Sequence, residues 1–76
     1  MQEFIAYIVK NLVEKPDEVQ VEVIEGQAKT LIEVRVAKED IAKVVGRGGR
    51  TINAIRTISF ALGARLGKRI HLELLD

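Results

Sequence analysis

The spacing of apolar residues changes period several times along the chain, and each change marks an element. Phe4, Ile5, Ile8 and Leu12 recur at helical spacing, which predicts an amphipathic helix over residues 2–14. Pro16 closes it, because the residue before a proline is pushed out of the α region. Val19, Val21 and Val23 then alternate with Gln20 and Glu22, the mark of a half-buried strand. Glu25-Gly26-Gln27-Ala28-Lys29 is a polar turn. Beyond it Ile32, Val34 and Val36 alternate with Glu33 and Arg35 in a second strand. So short a connection makes the two strands an antiparallel hairpin.

Residues 38–45 predict a short helix, with Glu39 and Asp40 in its first turn and Lys43 near its last, as the helix dipole favours. Gly46 is a natural stop. A longer helix runs from about Arg50 to Leu66. On it Ile52, Ile55, Ser59, Leu62 and Leu66 share one stripe, with Ile58 at the border. Gly67 ends that helix, and Ile70, Leu72 and Leu74 alternate with His71 and Glu73 in a final strand. The order is therefore α-β-β-α-α-β in a single domain spanning 1–76. A helical crossover makes the second and third strands parallel, with a right-handed connection. The expected fold is a two-layer α+β sandwich: a three-stranded mixed sheet covered on one face by three helices.

The unusual chemistry sits between the last two helices. Gly46-Arg47-Gly48-Gly49 is followed by Arg50, Thr51 and Ile52. Glycines let backbone N–H groups approach a ligand closely, and the helix that follows offers unpaired donors and the positive end of its dipole. Arginines beside such a loop neutralise phosphate. The loop alone leaves open whether that phosphate belongs to a nucleotide cofactor or to a nucleic-acid backbone.

Charge distribution bears on this choice. The net charge is only +1, but it is segregated. Residues 1–42 carry five basic and nine acidic side chains. Residues 43–69 carry seven basic ones (Lys43, Arg47, Arg50, Arg56, Arg65, Lys68 and Arg69) and no acid. An acid-free window around the glycine loop is the footprint expected of a polyanion site.

Other classes fall away. A P-loop needs a four-residue gap and a lysine that this loop lacks. A dinucleotide fingerprint would put glycine at Thr51 and would open from a strand. Ser59, His71 and the carboxylates show no nucleophile–base spacing, so no enzyme is expected. The chain has no cysteine, and His71 is its single histidine, so neither a disulfide framework nor a metal cluster is expected. Alternation makes His71 solvent-facing. No cofactor is implied. The N-terminus lacks a basic signal-peptide start and no apolar run is long enough to span a membrane, so the cytoplasm is the expected location.

Ile41, Val44, Val45, the Gly46–Gly49 loop and Ile52, placed between two helices after a hairpin and before a last strand, resemble a KH domain of type II (prokaryotic) topology. The run Val45-Gly46-Arg47-Gly48-Gly49-Arg50-Thr51-Ile52, with Ala54-Ile55-Arg56-Thr57, is similar to the helix entry of the KhpA family of small bacterial RNA-binding proteins. The resemblance implies binding of single-stranded RNA, with the GxxG loop clamping the backbone of about four nucleotides and bases lying on an apolar groove beside it. It makes Gly46, Arg47, Gly48 and Gly49 the clamp and sets Lys43, Arg50 and Arg56 along the backbone. It places Ile41, Val45 and Ile52 on the groove floor, residue types a buried core would also use. Lys68 and Arg69 join only if the loop before the last strand folds towards the groove. One departure is Gly48, a glycine at an x position, which adds to the entropy lost when the loop is ordered. No aromatic residue lies between Pro16 and Ser59 or after Phe60, so the stacking platform of other RNA-binding folds is not expected. Weak affinity and loose sequence preference follow. An RNA chaperone or post-transcriptional regulator is the implied role.

A second surface competes for attention. Ala54, Thr57, Phe60, Ala61 and Ala64 fall away from the core stripe of the long helix, with Phe60 nearly opposite its centre. Small residues allow close helix–helix approach, and pairing would help a small core, so this is a candidate dimer face. The resemblance likewise implies a homodimer, or a heterodimer with a larger KH-containing RNA-binding protein. The alternative function is a dimerising protein-interaction adaptor with weak or no RNA binding.

Overall fold

The hairpin organises the sheet. In the computed structural model, which describes residues 1–75, α1 (Gln2–Lys10) precedes β1 (Gln20–Glu25) and β2 (Thr30–Arg35). The two strands pair antiparallel, from Gln20 opposite Arg35 to Glu25 opposite Thr30. The Gly26 N–H donates to Lys29 O at 2.9 Å and closes the turn. After β2 come α2 (Ile41–Val45), α3 (Arg50–Arg65) and β3 (Ile70–Leu75). β3 pairs parallel with β2, from Thr30 opposite Ile70 to Arg35 opposite Leu75, and the strand order is β1-β2-β3. The α+β mixed sheet and the α-β-β-α-α-β order are as the sequence predicts.

One face of the sheet makes the core. Ile32, Val34, Ile70 and Leu72 meet Ile5 and Val9 of α1, Val44 of α2, and Ile52 and Ile55 of α3. The other face mixes polar residues with Ile24, Leu31 and Leu75, and on it Glu22, Glu33 and Glu73 stand in register across all three strands. At the β1 edge, Gln2 Nε2 donates to Val21 O at 2.6 Å.

Four local expectations are corrected. The buried pair on α1 is Ile5 and Val9, while Phe4 and Leu12 are exposed. The helix ends at Lys10 rather than near residue 14, because the Glu14 and Lys15 N–H groups are taken by the Asp40 carboxylate. The segment 38–45 opens as a 3-10 turn at Lys38–Asp40 before α2 begins. On α3 the stripe closes with Gly63 rather than Leu66, which is 64% exposed. A Cβ at Gly63 would collide with Ile70, so helix and strand approach there more closely than a side chain permits. The buried Ser59 hydroxyl donates to Ile55 O at 2.8 Å and so costs little desolvation.

Candidate nucleic-acid interface

The loop that joins α2 to α3 is one tight turn. The Gly46 N–H donates to Ala42 O at 2.9 Å and ends α2, and the Gly49 N–H donates back to Gly46 O at 3.1 Å. Gly48, at φ +63° and ψ +18°, breaks the helical path between the two helices. Gly46 has φ +77° and Gly48 φ +63°, in the left-handed region that other L residues avoid. α3 then starts at Arg50 with no side-chain cap. The Arg50 N–H donates to Arg47 O within the turn, while no side chain caps the N–H groups that follow, and the positive end of a sixteen-residue helix lies behind them. Such an arrangement can seat an anion on backbone donors.

The cations do not gather in one place, and Arg65 borders Met1 and Phe4, away from the turn. Arg47 and Arg50 flank the seat, are exposed, and form no ion pair among the described residues. Lys43 lies on the last turn of α2, with its Nζ 4.0 Å from Glu14 Oε2. Arg56 is tethered: its Nε donates to Leu72 O on the β3 edge at 3.2 Å, and its Nη1 approaches Asn53 Oδ1 at 3.4 Å. Lys68 pairs instead with Glu25 of the hairpin at 3.4 Å, and the Arg69 carbonyl accepts the Thr30 N–H at 2.7 Å. Lys68 and Arg69 therefore lie beyond the far end of α3, about 24 Å along a sixteen-residue helix from its start. The loop before β3 folds towards the hairpin, and the acid-free window of the sequence is not one continuous surface.

The three apolar groove candidates separate as well. Ile52 is 6% exposed and belongs to the core, whereas Ile41 and Val45 are half-buried and pack at its margin. Ile41 borders an open depression of about 620 Å³ with Val36, Arg35 and Lys38. A second cleft, about 390 Å³, runs between α3 and the β3 edge and is lined by Arg56, Thr57, Phe60 and residues 70–73.

The family model described as KhpA/KhpB, KH domain, matches residues 2–74. The chain belongs to that KH family. Relatives named RNA-binding protein KhpA cover it almost end to end. The Chlamydia pneumoniae protein is 45% identical over all of this chain and 97% of its own length. That of Borreliella burgdorferi is 49% identical over 97% of this chain and 90% of its own length. That of Aquifex aeolicus is 40% identical over all of this chain and 96% of its own length.

Against this KH frame, Phe60 is the residue the sequence reading misplaced. It sits on the α3 flank that faces β3, in the same cleft as Arg56, rather than opposite the core stripe. It follows Arg56 by one helical turn, and i, i+4 spacing puts the two on one face, which was the available signal. Arg35 and Lys38 beside Ile41 were also missed, because they precede the acid-free window. Ala54, Thr57, Phe60, Ala61 and Ala64 are all exposed.

Proposed function

We propose that the chain binds single-stranded RNA, with the Gly46–Gly49 turn gripping the phosphodiester backbone. The observation that carries this reading is the uncapped start of α3 behind a positive-φ glycine turn, with Arg47 and Arg50 unpaired beside it among the described residues. A phosphate seated there accepts hydrogen bonds from the N–H groups of the first helical turn, and the arginines neutralise its charge. Lys43 supplies a further cation once Glu14 gives way. The strand then runs along the α3–β3 cleft, where the tethered Arg56 guanidinium and the exposed Phe60 ring give bases a polar edge and a π face. The name RNA-binding protein carried by the KhpA relatives supports this reading.

The protein acts by binding alone, as an RNA chaperone or post-transcriptional regulator in the cytoplasm. Among the described residues no helix is long and apolar enough to cross a membrane. Replacing Arg47 and Gly48 together by Asp sets two carboxylates where phosphate would sit. Gly48 already has left-handed geometry that Asp adopts, and a Cβ there meets nothing within 4 Å, so the variant should fold. Its circular dichroism should match wild type while its affinity for RNA is lost. A folded double variant with wild-type affinity rejects the clamp. Wild-type binding should weaken with salt, with a log–log slope of roughly −2 to −3 for three or four phosphates.

A second reading rests on one observation, the five exposed small or apolar residues on α3. Through Ala54, Thr57, Phe60, Ala61 and Ala64 the chain pairs with a second copy, or with a larger protein that carries its own KH domain.

A further inference from the structure

Asp40 is the buried charge that the RNA reading leaves without a role. It is 1% exposed, does not cap its own helix, and forms no ion pair among the described residues. Its two oxygens accept the backbone N–H groups of Glu14 at 3.1 Å and Lys15 at 3.0 Å, in the loop between α1 and β1. Lys15 bonds Glu39, and Glu14 approaches Lys43, across the same seam. α2 starts directly after Asp40 and ends at Gly46, the first glycine of the clamp.

A five-residue helix cannot hold its own geometry, since isolated helices below about 12–15 residues are marginal. The buried Val44 anchors α2 towards its end, and the Asp40 seam anchors its start. We infer that Asp40 is a positioning residue for the clamp. By docking α2 onto the α1–β1 loop, it sets where Gly46 and the turn after it stand relative to the first N–H groups of α3. The inference rests on the RNA reading above. Two oxygens against two consecutive N–H donors fix both the place and the angle of the helix start, whereas one contact would leave a pivot. A loosened seam leaves the clamp in its binding geometry only part of the time, and apparent affinity falls by that fraction. Such coupling is reciprocal, so RNA on the clamp also tightens the seam.

Asp40→Asn keeps the side-chain shape but withdraws one acceptor and turns an amide N–H towards a backbone N–H. Binding of fluorescein-labelled oligouridylate, read by anisotropy where the variant is fully folded, should weaken about fivefold with the wild-type salt slope, since no phosphate contact is lost. Ile5→Val, a core truncation on α1, should lower stability yet hold affinity within about twofold. Wild-type affinity in Asp40→Asn overturns the inference, and so does equal weakening by Ile5→Val. If Asp40→Asn does not fold, hydrogen exchange on the wild type decides. Saturating oligouridylate should slow the Glu14 and Lys15 amides more than the Leu12 amide, which bonds Val9 O in the same loop. Equal slowing overturns the inference. A wild type that binds no oligouridylate rejects the clamp itself, an outcome distinct from one in which wild type and Asp40→Asn bind alike.

Discussion

Gly46 and Gly48 occupy one turn for different reasons. Both have positive φ, but a Cβ on Gly46 would collide with the Thr51 side chain, while one on Gly48 meets nothing within 4 Å. Gly46 is thus required by conformation and by space, and Gly48 by conformation only. Gly46→Ala should cost about 2–3 kcal/mol in urea unfolding, from a strained left-handed residue plus the clash. Gly48→Asn should stay within about 0.5 kcal/mol of wild type, because asparagine tolerates left-handed geometry. Equal costs at the two positions would contradict the assignment. The spacing of the glycines was readable along the chain. Which one is sterically closed was not, because it depends on how α3 brings Thr51 back over Gly46. Gly48, odd by pattern, is ordinary by geometry.

Elements were easier to foresee than their ends. Alternation and helical spacing located the three strands and the three α-helices, because each turns an apolar side to the core, but not the 3-10 turn at Pro16–Glu18. The ends depend on contacts distant in sequence. α1 does not run on to residue 14 because the Glu14 and Lys15 amides serve Asp40, twenty-six and twenty-five positions along the chain. Acids at a helix start are usually dipole partners, and local reasoning had no means of sending Asp40 elsewhere. Its neighbour Glu39 does remain at the surface, bonded to Lys15. The hydrogen bond from Lys15 holds the Glu39 carboxyl below its ordinary value, helped by its own backbone N–H and the lysine charge. The same bond, with the carboxylate charge, raises Lys15. A depressed folded pKa means that the contribution of Glu39 is present above the ordinary glutamate range and is lost as pH falls from there through the lowered folded value. A raised folded pKa means that the contribution of Lys15 is lost only as pH rises through the lysine range. NMR titration should find Glu39 ionising below the ordinary range in wild type and returning towards it in Lys15→Gln. An unchanged Glu39 curve in that variant would dismiss the pair.

At the scale of the whole molecule, the seven-cation window is not one surface. Arg47 and Arg50 flank the glycine turn and Lys43 ends the helix before it, Arg56 is held at the β3 edge, Arg65 borders Met1 and Phe4, and Lys68 joins the hairpin. Linear counting could not separate them, because α3 carries the chain away from the turn before β3 returns. Phe60 belongs to two candidate surfaces, the α3–β3 cleft and the exposed face of small residues. If that face pairs two copies, Phe60→Glu should convert a dimer into a monomer in light scattering. A wild type that is monomeric at high concentration rejects the pairing. A domain of this size buries only about 60–65% of its unfolded surface, so a second copy would add a substantial share of its stability.

The row of Glu22, Glu33 and Glu73 bears on how a partner arrives. Like charges in register on neighbouring strands repel one another, so the row is a standing cost to the sheet. Its field acts on solution as well. A polyanion drifting towards that face would meet these carboxylates, offset only by Arg35 beside Glu33, while Arg47 and Arg50 flank the glycine turn. Unproductive collisions are shortened and the approach is oriented over distances of a Debye length, about 8 Å in physiological salt. Set on the sheet face away from the helices, the three carboxylates would narrow the set of encounters that lead to the turn.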